Sequence, residues 1–229
     1  MILEKLEDVL NLDFKHYSFD LWLTLVKSNP LYKQKRNQLF KDFFEIDLPL
    51  ETVSSKIRFF DVSCNAINEQ TGLNFDTFQI YSLILNELGY DLTKLSLERL
   101  EEFYILTENL FLEFAPELLH PNTKEILLAL LEKDKTLNIL SNTGFVRGTT
   151  IRKYLQNVEL SELFSFEIFS DECNLSKPNP KIFEILYQKV NPTLRLSKDE
   201  IVHIGDNFFA DVQGANNFGI SGRLIKITN

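Results

Sequence analysis

The chain has 229 residues, 44% of them hydrophobic and 20 of them phenylalanine, enough for one large domain or for a core with a smaller insert. Its formal net charge of −9 argues against nucleic acid and anionic membranes as partners, and no apolar run approaches membrane-spanning length. Residues 1–8 carry acids early and lack a signal-peptide layout, and Cys64 and Cys173 show no metal or disulfide spacing, so a cytoplasmic protein with two reduced, buried thiols is expected.

Ile2, Leu3, Leu6, Val9 and Leu10 recur at helical spacing and predict a short amphipathic helix over residues 1–11. A strand-like run through Tyr17, Ser18 and Phe19 follows and ends at Asp20. Beyond Thr24 the period changes. Pro30 can open a helix, with Leu31, Leu39, Phe40, Phe43 and Phe44 at roughly helical spacing, and Pro49 breaks it. Further helices are predicted over residues 50–71, closed by Gly72, over 76–88, closed by Gly89, and over 96–112. No strand signal interrupts this block. It reads as an all-helical insert, residues 28–113, dividing a core made of residues 1–27 and 114–229. Its natural place is above Asp20, over the open end of the sheet.

From His120 onward strand and helix alternate. Asn122 and Glu125 open a helix over 123–133, followed by a strand at 137–140 and a helix at 149–155. Then come a strand at 164–169, a helix at 180–189, and a strand at 201–204 entered through Ser197 and Glu200. A helix over 208–218, closed by Gly219, and a last strand at 224–227 complete the chain. Such units imply an α/β fold with a parallel sheet and right-handed crossovers.

A strand that ends in a carboxylate needs a reason, because a buried charge needs a partner. In open α/β sheets the carboxyl ends of the strands are where ligands bind. Asp20 ends the first run, with Thr24 four positions on. Ser141, followed by Asn142 and Thr143, ends the second. Lys177 stands just before Pro178, soon after the strand at 164–169. Gly205-Asp206 ends the run at 201–204, with Asp211 beyond it. Taken singly these have plainer readings. Ser-Asn-Thr-Gly is good turn chemistry, Lys177 could be a surface lysine, and an acid at a helix start is favoured by the helix dipole. Arg147 and Lys153, just past Ser141, are placed to reach an anionic substrate or to be solvated charges. His16, His120 and His203 share no ligand spacing and read as core or surface residues.

In order, the four stretches resemble the four motifs of the haloacid dehalogenase (HAD) superfamily, over most of the chain from Asp20 to Gly219. The resemblance implies a Rossmann-like parallel sheet flanked by helices, with a helical cap inserted between the first and second motifs. It implies Asp20 as nucleophile and metal ligand, the Trp22 carbonyl and Asp206 as further ligands, and Asp211 as a nearby ligand or supporting acid of the same Mg²⁺ site. Ser141 and the N–H of Asn142 suit a phosphoryl oxygen, and Lys177 suits a fixed positive charge for nucleophile and substrate. With Thr24 and Arg147 they form the expected contacts to a small anionic substrate. The charge problem fits a metal: a carboxylate approaching a phosphate dianion is opposed by ~4 kcal/mol per unit pair at ~4 Å and an effective dielectric near 20. A hard, oxygen-ligated Mg²⁺ would offset it.

One position departs from the pattern. Phosphatases of the superfamily carry a second aspartate two residues after the nucleophile, which protonates the leaving group and then activates water. Here Trp22 stands there, and an indole N–H only donates. Loss of a general acid costs about 10²–10⁴ in rate. Dehalogenases of the superfamily carry an aromatic residue at that place, because halide leaves without a proton, and they need no metal. They tend not to keep a Gly-Asp-x-x-x-x-Asp pair, which this chain retains as Gly205, Asp206 and Asp211. The retained acids favour a Mg²⁺-dependent hydrolase of a small phosphorylated metabolite, slow or selective for good leaving groups. A metal-independent 2-haloacid dehalogenase-type hydrolase and a non-catalytic ligand-binding protein are the alternatives. A monomer or homodimer is expected.

Overall fold

The computed structural model describes residues 2–226; Met1 and Ile227, at the ends of the first predicted helix and the last predicted strand, lie outside them. The chain forms β1 (Ile2–Leu3), β2 (His16–Phe19) and β3 (Val26–Lys27), then α1 (Pro30–Phe43), α2 (Leu50–Thr71), α3 (Thr77–Glu87) and α4 (Leu97–Glu113). β4 (Glu117–Leu118), α5 (Thr123–Leu131), β5 (Thr136–Ser141), α6 (Gly148–Asn157), β6 (Phe166–Phe169) and α7 (Ser170–Cys173) follow. The last elements are α8 (Pro180–Leu194), β7 (Ile201–Gly205), α9 (Gly214–Phe218) and β8 (Ser221–Ile225). Among the described residues, six strands form one sheet in the order β1-β8-β7-β2-β5-β6, with every pair parallel. This is the parallel sheet that the alternating elements imply, in the Rossmann-like arrangement that the resemblance implies.

Side-chain alternation along the strands sorts the core into two layers. Tyr17, Phe19, Leu137, Ile139, Val202 and Ile204 pack with Leu127 of α5 and Ile151 of α6 on one face. Leu140 and Ile201 pack with Ile182, Phe183 and Leu186 of α8 on the other. Both faces are covered, which is why the strands read as nearly unbroken apolar runs. The register sets Phe19 beside both Ile139 and Ile204. Asp20, Ser141 and Asp206 therefore leave neighbouring strands at the same end. From β2 the chain builds outward to β5 and β6 on one side, then returns to build β7 and β8 on the other. The crevice at such a reversal is where open sheets bind ligands.

His16 is a polar group inside this core. Its ring nitrogens lie 2.8 Å from Thr136 Oγ1 and 2.8 Å from Asn138 Oδ1. Burial pushes its imidazole down to about 4, whereas the unfolded chain takes up that proton near pH 6.5. The folded pKa is the lower one, so the stability is whole above about pH 6.5 and is lost as pH falls towards 4. The full loss corresponds to about 3 kcal/mol. His203, described below, adds a loss of the same sign, so the difference between wild type and His16→Gln isolates the first. We expect the urea midpoint of wild type to fall more steeply than that of the variant across this window. Parallel pH profiles would refute the assignment.

Some expectations are corrected. The helix expected over residues 1–11 forms only in part: Ile2 and Leu3 pair with Leu224 and Ile225 of β8, and a 3₁₀ helix, Leu6–Asn11, follows. A lone short helix is marginal, whereas β1 covers the otherwise unpaired edge of β8. The Asp8 carboxylate secures the change of direction by accepting from the N–H groups of Glu4 and Lys5 at 2.9 and 3.2 Å. The helix expected over 208–218 starts as a wide π-type turn, Phe208–Gln213, before α9. Both cysteines are free, but Cys173 is only half-buried.

The stretch from α1 to α4 is helical, as expected, and has its own aromatic core around Phe40, Phe44, Tyr81 and Phe103. The Tyr81 and Phe40 rings meet the Phe103 ring edge-on at 5.0 and 5.4 Å. Pro30 opens α1 as expected, capped by Asn29, and Asp76 and Gln79 form a reciprocal capping box on α3, whereas Asn122 starts α5 without a side-chain cap bond because its amide turns to Glu7. Gly72 ends α2 in the left-handed region, with φ 70°. Its carbonyl accepts from Ser176 N at 3.1 Å and Asn179 Nδ2 at 3.0 Å, pinning the end of α2 to the Lys177 loop. β3 and β4 pair antiparallel where the chain leaves and re-enters the sheet region, a ribbon with no readable sequence signal. No described helix is long and apolar enough to cross a membrane.

Candidate active site

Asp20 is the first residue past β2, with its N–H bonded to Ile204 O at 2.8 Å. It is only 7% exposed. The chain then doubles back: the N–H groups of Leu25 and Val26 both return to Leu21 O, and Leu23 takes a φ of 58°.

Lys177 reaches Asp20 from the loop before α8. Its Nζ makes three contacts of 2.7 Å, to Asp20 Oδ1, Asp211 Oδ1 and Leu140 O. An ammonium has three N–H donors, so this set occupies all of them. Asn142 fixes the loop reciprocally: its Oδ1 accepts from Lys177 N at 2.8 Å and its Nδ2 donates to Lys177 O at 3.1 Å.

Asp211 folds back beneath the end of β7. A Cβ on Gly205 would lie 2.1 Å from Asp211 Oδ2, so only glycine leaves room for the carboxylate there. Asp211 Oδ2 accepts from Asn207 N at 3.0 Å, and its Oδ1 also lies 3.2 Å from His203 Nε2. Burial, reinforced by the Lys177 charge, lowers the His203 imidazole to about 4, so the ring is neutral. Its Nε2–H donates to Asp211, and its Nδ1, 2.9 Å from Ser18 Oγ, accepts from that hydroxyl.

Oxygens of Asp20, Asp206 and Asp211 lie within 4.8 Å of one another. Burial, only partly countered by Lys177, pushes Asp20 up to about 7. Burial and the neighbouring Asp211 charge push Asp206 up to about 6. Burial would raise Asp211 too, but Lys177 and His203 hold it well below the usual carboxylate range. Burial works against the Lys177 ammonium, yet the two acids at its side keep its pKa above the ordinary lysine value. One ammonium thus faces three carboxylates, and Asp206 joins no ion pair among the described residues. An oxygen-only donor set with surplus negative charge suits a hard divalent cation.

A family model of haloacid dehalogenase-like hydrolases matches residues 14–219. The chain belongs to this family. The glyceraldehyde 3-phosphate phosphatase of Methanothermobacter thermautotrophicus is 26% identical over 206 residues, covering 80% of this chain and 84% of that protein. Among solved structures, the HAD hydrolase YfnB of Bacillus subtilis, bound to magnesium, superposes with a TM-score of 0.69 at 17% identity, covering 95% of this chain and 92% of that one. L-2-haloacid dehalogenase from Xanthobacter autotrophicus superposes with a TM-score of 0.59 at 19% identity, covering 94% and 79%. At these identities the superpositions report the fold.

In this HAD-like hydrolase a cavity of about 480 Å³ opens over Asp20, within the usual range of small-molecule sites. Asp20, Trp22, Asn142, Lys177, Asp206 and Asp211 line it from below, and α1 and α2 supply residues from above. Three expected substrate contacts are corrected. Ser141 ends β5 fully buried, its hydroxyl donating to Asn142 O at 3.3 Å, and does not line the cavity, because the strand end turns it inward. Thr24 is fully buried behind the turn, with no described partner for its hydroxyl, and does not line the cavity. Arg147 faces away from it: its guanidinium lies 4.2 Å from the rings of both Phe78 and Tyr104 and 3.5 Å from Glu101. Two aromatic faces and a carboxylate outcompete the cavity for that cation.

The hydrolase also places residues here that had not been singled out. His203 holds Asp211, and its only sequence signal is a polar residue inside the apolar run 201–204. Glu69 of α2 lines the cavity and accepts from Asn207 Nδ2 at 2.8 Å, joining α2 to the loop after β7. Arg36 of α1 lines it as well. Neither Glu69 nor Arg36 stands out from an amphipathic helix pattern.

Proposed function

We propose that this hydrolase cleaves a small phosphorylated metabolite with the help of Mg²⁺, Asp20 attacking phosphorus to form an aspartyl intermediate. The observation that carries the reading is the setting of Asp20. It is a buried carboxylate at the reversal point of the sheet, anchored through Oδ1 on Lys177 and crowded by two further acids. The phosphatase name of the relative and the magnesium in the YfnB structure support it. Asp20, Asp206 and the Trp22 carbonyl would hold the ion, while Asp211, both of whose oxygens already accept protein donors, would orient Lys177. When bound, the ion offsets the charge of the carboxylates and the phosphate.

The residues then divide the work. Lys177, its donors occupied, holds the nucleophile rather than the substrate, which revises its expected role. Asn142 and the backbone beside Ser141 border the position of the phosphoryl group. Residues 28–113 form a cap domain over the core of residues 1–27 and 114–229, excluding water when closed. Every residue named here comes from one chain, so a monomer or a homodimer serves equally. The free thiols suit a reducing, cytoplasmic setting.

Trp22 gives the leaving group no proton. Phosphate release from p-nitrophenyl phosphate is therefore expected to exceed that from an alkyl phosphate by about 10²-fold or more. Release should stop with chelator and return with Mg²⁺. Release that ignores chelator, or no release at all, would overturn the reading. Trp22 itself favours one other chemistry, displacement of halide from a 2-haloacid, which needs no acid. Halide release that persists in chelator would select it.

A further inference from the structure

We propose that the cavity holds a second anion-binding subsite centred on Arg36, and that the substrate is a phosphomonoester whose far end carries a carboxylate or a second phosphate. The substrate assignment rests on the phosphatase reading above; the subsite rests on the following geometry.

Arg36 is only 8% exposed and lines the same cavity as Asp20. Its guanidinium lies 4.4 Å from the ring of Phe145 and 5.7 Å from that of Tyr32. Its Nε and Nη2 donate to its neighbour Asn37 Oδ1 at 3.2 and 2.9 Å, and the Tyr32 hydroxyl lies beside it, so its described polar neighbours are neutral. Arg36 joins no ion pair among the described residues. A guanidinium cannot shed its proton to escape burial, and buried charges are as a rule paired.

The acids of the facing helix do not supply the partner. Asp61 lines the cavity but is held by Arg58 at 2.9 Å, and Glu69 is held by Asn207 at 2.8 Å. Lys33, one turn before Arg36, also lines the cavity and joins no described ion pair, so a second cation stands at the same wall. The missing counter-charge is therefore expected from the ligand.

Position fixes which part of the ligand. Phe145 follows Gly144 in the loop that leaves β5, the loop that borders the phosphoryl position. Its ring also stacks on Tyr81 of α3 at 5.7 Å. The Arg36 plane is thus held between the helical region and the core. A rigid guanidinium fork matches a carboxylate or phosphate through paired hydrogen bonds. Asp20 and Arg36 line one cavity, so a molecule with an anion at each end can address both.

Phosphonates, whose C–P bond does not hydrolyse, read the subsite without turnover. By calorimetry in Mg²⁺, wild type is expected to bind phosphonoacetate or ethane-1,2-bisphosphonate about tenfold or more tighter than methylphosphonate. The larger margin identifies the second anion. Arg36→Met should lose the margin and Arg36→Lys should keep part of it, with thermal unfolding recorded to confirm that both are folded. Equal affinity of wild type for all three probes, or a margin that survives in folded Arg36→Met, overturns the subsite alone. If no probe binds wild type, the phosphatase reading fails and the substrate assignment fails with it. The wild-type comparison stands even if a variant does not fold.

Discussion

Asp20→Asn is expected to abolish phosphate release, by roughly 10⁴-fold or more, while leaving the protein at least as stable as wild type. The loss follows from the chemistry: an amide of the same shape has no charge with which to attack phosphorus, and removing a nucleophile typically forfeits most of the rate enhancement. The stability follows from the crowding. Burial has already pushed the Asp20 carboxyl up to about 7, so its charged form is costly where it stands. An amide removes one of three carboxylates that share a single ammonium, and Lys177 keeps its contacts to Asp211 and Leu140 O at 2.7 Å. Phosphate release and thermal unfolding are measured on the same preparation. Turnover within tenfold of wild type would show that Asp20 is not the nucleophile, and unfolding well below wild type would show that the carboxylate is structural.

Lys177→Met should do the reverse, removing activity and stability together. Methionine nearly fills the space but leaves the buried carboxylates of Asp20 and Asp211 without their shared cation. Breaking a buried pair by removing one partner costs about 3–5 kcal/mol, which for a chain of this size lowers Tm by roughly 6–20 °C. Hydrolysis should fall too, because Asp20 Oδ1 loses the group that orients it. Part of the lost Tm should return with added Mg²⁺, since a ligand that binds only the folded state stabilises it by mass action. A variant that unfolds within a degree or two of wild type would mean that the Lys177 contacts contribute little. The two substitutions thus separate the attacking group from its support.

The residues that were legible are those whose role depends on nearby sequence. Asp20 and Asp206 could be picked out because each follows an apolar run at a spacing that a parallel sheet converts into convergence, and Lys177 because it stands before Pro178 in the order that the resemblance implies. Gly72 and Asp76 could be placed as helix ends because capping is decided within a few residues. Trp22 was equally plain as a departure from the acid expected beside the nucleophile.

What stayed hidden depends on partners far apart in the chain. Asp20 and Lys177 are 157 positions apart, and that all three ammonium donors are taken emerges only when Asp211 and Leu140 arrive beside them. Thr24 and Arg147 were assigned to the substrate because they follow the right motifs. The fold instead buries one behind a turn and sets the other between two aromatic rings. The N-terminal segment had one helical pattern, but the edge of β8 claimed Ile2 and Leu3 as a strand and left a 3₁₀ helix at Leu6–Asn11.

Taken alone, the order of residues determined the parallel sheet, the helical insertion and the acids at the strand ends, because periodicity and spacing are properties of short stretches. Only the tertiary structure decided which charges are paired and which are left facing the cavity. Burial and the choice of counter-ion are settled by elements that meet in space, and that is why Lys177 became a brace and Arg36 was left without an ion pair among the described residues.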